Sequence, residues 1–207
     1  MGPRPLTRPR KRASQSRSRA TVDALIEATA RILVRDGFDK ASTNRIAAEA
    51  GVSVGSLYQY YPTKEALVRA VIERHTADLT RMARQAVAEV ERLPLEAGVR
   101  RLVAAAIAAH RLDPDLHRAL AEQIPRVGAL EGVEVFNREN YGLFRAYLDR
   151  HRDEVRAPDL DLAAFVCVTA IEALTHNAVL HRPQALADSA VGALVDEASR
   201  LVLGYLR

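Results

Sequence analysis

Cysteine is nearly absent from the sequence: Cys167 is the single thiol in 207 residues, and it cannot close an internal disulfide. That usage points to a reducing compartment. Tryptophan is missing, aromatic residues make up only 5%, and no sustained alternation of apolar and polar residues appears, so strand signals are weak. The longest apolar runs, Leu102–Ala109 and Leu162–Ile171, fall short of the about 20 residues a bilayer span needs. No apolar signal-peptide core follows the basic N-terminus. Dinucleotide-binding glycines, a phosphate loop, a nucleophile elbow and Cys/His metal spacing are all lacking. His110 and His117, seven residues apart across Pro114, make a poor ligand pair. These absences predict a cytoplasmic protein with no membrane segment, no metal and no cofactor, and leave an enzyme without a motif.

Hydrophobic residues make up 48% and charged residues 27%, enough to bury a sizeable core. The net charge of +4 divides unevenly. Residues 1–75 carry 14 Lys/Arg against 7 Asp/Glu, and residues 76–207 carry 16 against 19. A basic first third suggests a polyanionic partner, although a solvated face gives the same pattern. Residues 1–20 hold Arg4, Arg8, Arg10, Lys11, Arg12, Arg17 and Arg19, three prolines and no acid. They are expected to form a disordered basic arm that attracts phosphates without reading sequence.

From Thr21 onward the pattern is helical. Leu25, Ala28, Ile32 and Leu33 form one stripe, with Thr21 as N-cap and Gly37 as the stop. Ser42 or Thr43 caps a second helix, Asn44–Ala50, ended by Gly51; Ser53 caps a third that runs to Tyr60 before Pro62. A long fourth helix from Thr63 carries Val68, Ile72, His75, Leu79, Met82 and Ala86 on one seam. Further helices are predicted over Leu95–Arg111, Pro114–Ile124, Leu130–Val155, Leu160–Leu180 and Ala185–Leu206. The expected fold is all-α, divided into the arm (1–20), a DNA-binding head (21–67) and a body (68–207).

Two short helices meeting at Gly51, with Ile46, Ala47, Val52 and Leu57 placed to pack where they cross, form a helix-turn-helix pattern. Its second helix offers Ser53, Ser56, Gln59 and tyrosine hydroxyls outward, Gly55 allows close approach of backbone, and Lys64 adds a cation. A tight helical hairpin with partly buried tyrosines is the alternative. The order T-x-x-I-A-x-x-A-G-V-S-x-G-S-L-Y-x-Y-Y-x-x-K-E-A-L over Thr43–Leu67, with Ala28 and Gly37-Phe38 before it, resembles the DNA-binding signature of the tetracycline-repressor (TetR/AcrR-like) family. The resemblance implies a three-helix DNA-binding head and a helical effector-binding and dimerising body. Carried over by position, Thr43, Ser53, Tyr58 and Lys64 resemble phosphate contacts, and Val54, Gly55, Ser56 and Tyr60 groove-facing residues. Many relatives have His-Phe where this chain has Tyr60-Tyr61.

In the body, Phe136, Asn140, Phe144 and Tyr147 form one candidate effector-pocket stripe and Phe165, Thr169, Glu172 and His176 another, with Met82 contributed by the fourth helix. Aromatics at this spacing are also ordinary core. Val166, Ala170, Ala173 and Asn177, with Val191, Leu194, Ala198 and Leu201, are candidate dimer-interface faces. The expected function is a ligand-responsive repressor that binds a palindromic double-stranded operator as a homodimer and is released by a small-molecule effector. The alternatives are an effector-independent, nucleoid-type DNA-binding protein and an all-helical enzyme.

Overall fold

The computed structural model describes residues 16–124 and 126–207, and the regular structure among them is entirely helical. The α-helices are α1 (Ser16–Asp36), α2 (Thr43–Glu49), α3 (Val54–Tyr60), α4 (Lys64–Glu89), α5 (Leu95–Arg111), α6 (Pro114–Ala121), α7 (Leu130–Arg150), α8 (Leu160–His181) and α9 (Val191–Leu206). α1 starts before the expected cap at Thr21, because Ser16–Ala20 contains no proline and its Arg and Ala residues favour helix. The rest of the expected arm lies outside the described residues. α6 stops at Ala121, ahead of Pro125 in the sequence. α7 ends at Arg150, and Arg152–Glu154 form a separate 3₁₀ turn. α9 starts late because Pro183–Leu186 make their own 3₁₀ turn, after which extended Ala187 breaks the path.

The chain divides into two compact units. The first takes in residues up to Thr76 together with Asp115–Val133, and the second Ala77–Pro114 with Glu134–Arg207. α4 is therefore shared, with its first half in one unit and its second half in the other.

The first unit closes around Leu25, Ile32, Ile46, Leu57, Leu67 and Val68, none of them more than marginally exposed. Burial of each such side chain stabilises by about 1.5–3 kcal/mol. Leu120, Val127 and Ala129 complete this core. α1 is fastened to α2 by ion pairs: Arg31 and Arg35 meet Glu49 at 3.1 and 3.3 Å, and Arg45 meets Asp36 at 2.6 Å. Hydrogen bonds from Arg31 and Arg35 hold the Glu49 carboxyl below its ordinary value. For Asp36 burial works the other way, but Arg35 and Arg45 outweigh it and again lower the value.

In the second unit α5 packs on α8 and α9 around Val99, Val103, Ile107, Tyr147, Cys167 and Val202. α8 is, by length and composition, long and apolar enough to cross a membrane, contrary to the reading of its apolar run alone. Here it is a core helix, with Ala163, Ala164, Cys167, Ile171, Ala178 and Val179 buried in the unit. Burial pushes the Cys167 thiol up to about 12, which keeps it an inert packing group.

Candidate nucleic-acid interface and buried cavity

The turn between α2 and α3 is set by backbone chemistry. Ala50 ends α2, Gly51 takes φ +68°, and two hydrogen bonds close the turn, Gly51 N–H to the Ala48 carbonyl (3.1 Å) and Val52 N–H to that of Ala47 (3.0 Å). This is a Schellman closure, and its left-handed residue favours glycine. Ser42 accepts from Arg45 N–H at 3.3 Å to cap α2, resolving the Ser42/Thr43 choice, and Ser53 accepts from Ser56 N–H at 3.1 Å to cap α3. Ser42 and Thr63, which caps α4 by accepting from Ala66 N–H at 3.2 Å, thus fix where α2 and α4 start.

Inward, α3 buries Leu57 and Tyr60; outward, it exposes Gly55, Tyr58 and Gln59 beside half-buried Val54 and Ser56, with Ser53 exposed at its cap. The Tyr58 hydroxyl lies 3.0 Å from Thr43 Oγ1, tying the start of α2 to the outer face of α3. Ser53 and Ser56 hydroxyls are 2.9 Å apart. Seven of the nine expected DNA-facing residues therefore lie on or beside one surface: Thr43, Ser53, Val54, Gly55, Ser56, Tyr58 and Gln59. Tyr60 does not. It is 8% exposed and belongs to the head core, because a position three after Leu57 shares its inward face. Tyr61 is likewise buried, and burial first, then the nearby carboxylates Glu73 and Asp23, push its phenol up to about 12.

Lys64 is more constrained than a bare surface cation. Its ammonium donates to the Phe38 carbonyl at 3.1 Å and sits 4.1 Å from the centre of the Phe38 ring. Arg126 approaches the same ring at 5.9 Å and pairs with Asp39 at 3.8 Å. No local motif in the sequence links Arg126 to Phe38; only the return of 115–133 to this unit does so.

The second unit holds a cavity of about 90 Å³, lined by α4, α5, α7 and α8. Five expected pocket residues line it: Met82, Phe136, Asn140, Phe144 and Glu172. Four others do not. Tyr147 is fully buried behind Phe144, with its hydroxyl 3.4 Å from the Leu95 carbonyl. Phe165 and Thr169 stand on the exposed face of α8, where Tyr141 meets both. His176 is one turn beyond Glu172 and outside the lining. The expectation missed Leu79, Leu143 and His110. The room itself comes from Ala105, Ala106 and Ala109 of α5, where methyl groups stand in place of larger side chains.

His110 is 3% exposed. Its Nδ1 lies 2.9 Å from the Ala106 carbonyl, which only accepts, so Nδ1 carries a proton. Nε2 faces Glu172 Oε2 at 3.6 Å, an ion pair when the ring is protonated. Burial alone would lower the His110 value, but the hydrogen bond and charge of Glu172 outweigh it and raise it, which favours imidazolium against carboxylate. His176 moves the opposite way, lowered by burial and then by the His110 charge. His117 belongs to the first unit, with its Nδ1 3.2 Å from His75 Nε2. Among the described residues no group of three or more His, Cys, Asp or Glu side chains is placed to hold a metal ion.

Two faces of the second unit expose large apolar side chains: Leu162 and Phe165 on α8, and Leu201 and Tyr205 on α9. Of the expected interface residues, Ala173, Asn177 and Leu201 are exposed, and Val166, Ala170, Val191 and Leu194 half-buried. Ala198 is 3% exposed and faces the unit's own core, because it lies three and four residues from buried Val195 and Val202.

Comparison with known proteins places these features together. Residues 94–206 match the model of the tetracyclin repressor-like C-terminal domain, and residues 25–71 that of the bacterial regulatory proteins, tetR family. The fold is shared with a TetR family transcription regulator from Marinobacter aquaeolei VT8 (TM-score 0.71, 20% identity, 93% of this chain and 98% of that one). It is shared equally with the fatty acid degradation regulator FadR from Bacillus halodurans (TM-score 0.71, 19% identity, 95% and 99%). Among curated proteins, the nucleoid occlusion factor SlmA of Actinobacillus pleuropneumoniae serotype 5b is 44% identical over 45 residues, which is 22% of each chain.

Proposed function

The chain belongs to the tetR family of bacterial regulatory proteins, and on that premise we propose that it is a ligand-responsive repressor acting in the cytoplasm. It is a DNA-binding transcription regulator and not an enzyme. In the proposed cycle a homodimer binds a palindromic operator and leaves it when a small molecule occupies the cavity. The observation that carries the DNA half is the outward face of α3, where Gly55, Ser56, Tyr58 and Gln59 are presented by a glycine-closed turn. Thr43, Ser53 and Lys64 flank it with hydroxyls and a cation for phosphates. Leu162, Phe165, Leu201 and Tyr205 give the dimer its apolar contact, since exposed side chains of this size gain about 1.5–3 kcal/mol each on burial.

α4 supports the switch. Its 26 residues span about 39 Å at about 1.5 Å each. Its second half carries Leu79 and Met82 into the cavity wall. A ligand larger than the cavity widens it, displaces that wall and shifts the helix that begins beside Lys64. Ligand and operator then oppose each other by the same coupling energy, typically about 1–3 kcal/mol.

The test starts from an operator selected out of random DNA. Ser56→Ala and Gln59→Ala each weaken operator binding by about 1–3 kcal/mol while sparing random DNA. Leu201→Glu sediments as a monomer and binds the operator weakly. Equal losses on both DNAs would remove α3 from sequence reading, and an intact Leu201→Glu dimer would remove that face from the interface. An effector-independent DNA-binding protein is the second reading, favoured by the short SlmA match; it requires operator affinity to stay unchanged with the cavity filled.

A further inference from the structure

Resting on the reading of this cavity as the effector site, we propose that its ligand is a compact lipophilic amine, bound as a cation by Glu172 and Asn140. Three observations converge. Asn140 is 8% exposed, and its Oδ1 is buried with no hydrogen-bond partner among the described residues. A buried amide oxygen left unpaired is costly, and a donor entering the cavity removes that cost. Glu172 also lines the cavity, and its Oε2 lies 3.6 Å from His110 Nε2. An ionised carboxylate accepts several donors, so Glu172 has capacity for a second cation beside His110. Finally, neither lysine nor arginine lines the cavity.

These features discriminate among ligand charges. A carboxylate ligand would face Glu172 with no lysine or arginine to receive it, and both ring nitrogens of His110 are already engaged. A neutral hydroxyl has one proton to donate, so it satisfies only one of the two acceptors and brings no charge to Glu172. An ammonium satisfies both acceptors, and the rings of Phe136 and Phe144 complete the lining with faces that attract cations. Asn140 sits on α7 and Glu172 on α8, so one head group joins two walls. The aliphatic lining of Leu79, Ala86, Leu102 and Ile171 requires the rest of the ligand to be apolar.

Benzylamine, benzyl alcohol and benzoate share a ring and differ in charge. Calorimetric titration of the full chain near pH 7.5 should give benzylamine about tenfold or more tighter binding than either of the others. Glu172→Gln should abolish that advantage, so that benzylamine binds the variant no more tightly than benzyl alcohol does. Asn140→Leu, which keeps the His110–Glu172 pair, should weaken both benzylamine and benzyl alcohol, and its melting temperature shows whether the fold survives. Ala105→Phe, which fills the cavity, should remove all binding. Benzyl alcohol or benzoate binding as tightly as benzylamine, with Ala105→Phe still blocking, overturns the amine proposal and leaves the effector cavity standing. An amine preference that survives Glu172→Gln overturns it as well. If none of the three probes binds at its solubility limit, the amine proposal and the effector reading fall together.

Discussion

Gly98 lies on α5 directly against Tyr147, and replacing it with alanine sets two effects of opposite sign against each other. In an ordinary helix interior Gly→Ala stabilises by about 1 kcal/mol, through lower backbone entropy in the unfolded chain. Here a Cβ would stand 1.9 Å from the Tyr147 hydroxyl oxygen, 2.9 Å from Cζ and 3.3 Å from Cε2. Relief requires the phenol to retreat by about 1.5 Å to reach ordinary contact. It has nowhere cheap to go, since Tyr147 is fully buried and its ring lies against those of Phe144 and His151. Overpacking of this kind costs about 1–3 kcal/mol, and losing the bond to the Leu95 carbonyl about 0.5–1.5 more. The clash outweighs the propensity gain, so Gly98→Ala should destabilise by about 1–3 kcal/mol. At about 2–4 °C per kcal/mol for a chain of this size, the melting temperature falls by several degrees in a calorimetric scan. A Tyr147→Phe background removes the atom met at 1.9 Å, so Gly98→Ala should cost less there. Gly98→Ala as stable as the parent, or equally costly in both backgrounds, would refute the packing argument.

Tyr60 provides a second test, because a core tyrosine and a base-reading tyrosine respond differently. Tyr60→Phe should leave operator affinity within about twofold, whereas loss of a base contact costs about 1–3 kcal/mol; Tyr60→Ala should lower the thermal stability of the chain by about 3–5 kcal/mol. A Tyr60→Phe variant that loses operator but not random-DNA binding in titrations returns Tyr60 to the groove. The His110–Glu172 pair makes stability depend on pH in a defined direction. The folded-state value of His110 is raised above 6.5, so its contribution is fully present below about pH 6.5 and is lost as pH rises through the raised value. His176, lowered, works in the opposite direction, so the comparison is made in a His176→Gln background. There the melting-temperature advantage of His110 over His110→Gln should shrink as pH rises from 6 to 8, and an advantage that grows over that range would contradict the assigned protonation.

How far the fold could be read from the sequence depended on whether each signal was local. α5 is legible from Leu95 to Arg111 because Pro94 and the turn before Pro114 bound an amphipathic run. Gly51, Ser53 and Pro62 did the same for the turn and α3, each acting through its own backbone or its nearest neighbours. Boundaries drifted where no such residue stands. The apolar pattern runs on through the 3₁₀ turn at Pro183–Leu186 and so does not mark the start of α9, and arginines without prolines look the same in an arm and in a helix and so do not mark that of α1. The return of Asp115–Val133 to the first unit carries no local signal, since it is settled by Leu120 and Val127 joining a core built mostly from residues 25–72.

The functional surfaces divide on the same principle, but with a further limit. Periodicity says which residues share a face and not what that face meets. Phe136, Asn140 and Phe144 did share a cavity wall, while Tyr147, three residues on, left it because the missing side chain at Gly98 opened a deeper seat for its ring. Phe165 and Thr169 share a face with each other but lie on the outside of α8, and Glu172 three residues later turns inward. The cavity also depends on what is absent: the alanines of α5 leave room that an apolarity pattern counts as ordinary core. His110 shows why the chemistry of the site was hidden. Read along the chain it is a lone histidine in an alanine-rich helix; burial lowers its value, while Glu172 on another helix and Ala106 one turn before it raise it. A pair whose members stand 62 residues apart in the chain becomes legible only when α5 and α8 are packed together, whereas the helix-turn-helix signature is local and is read from the sequence itself.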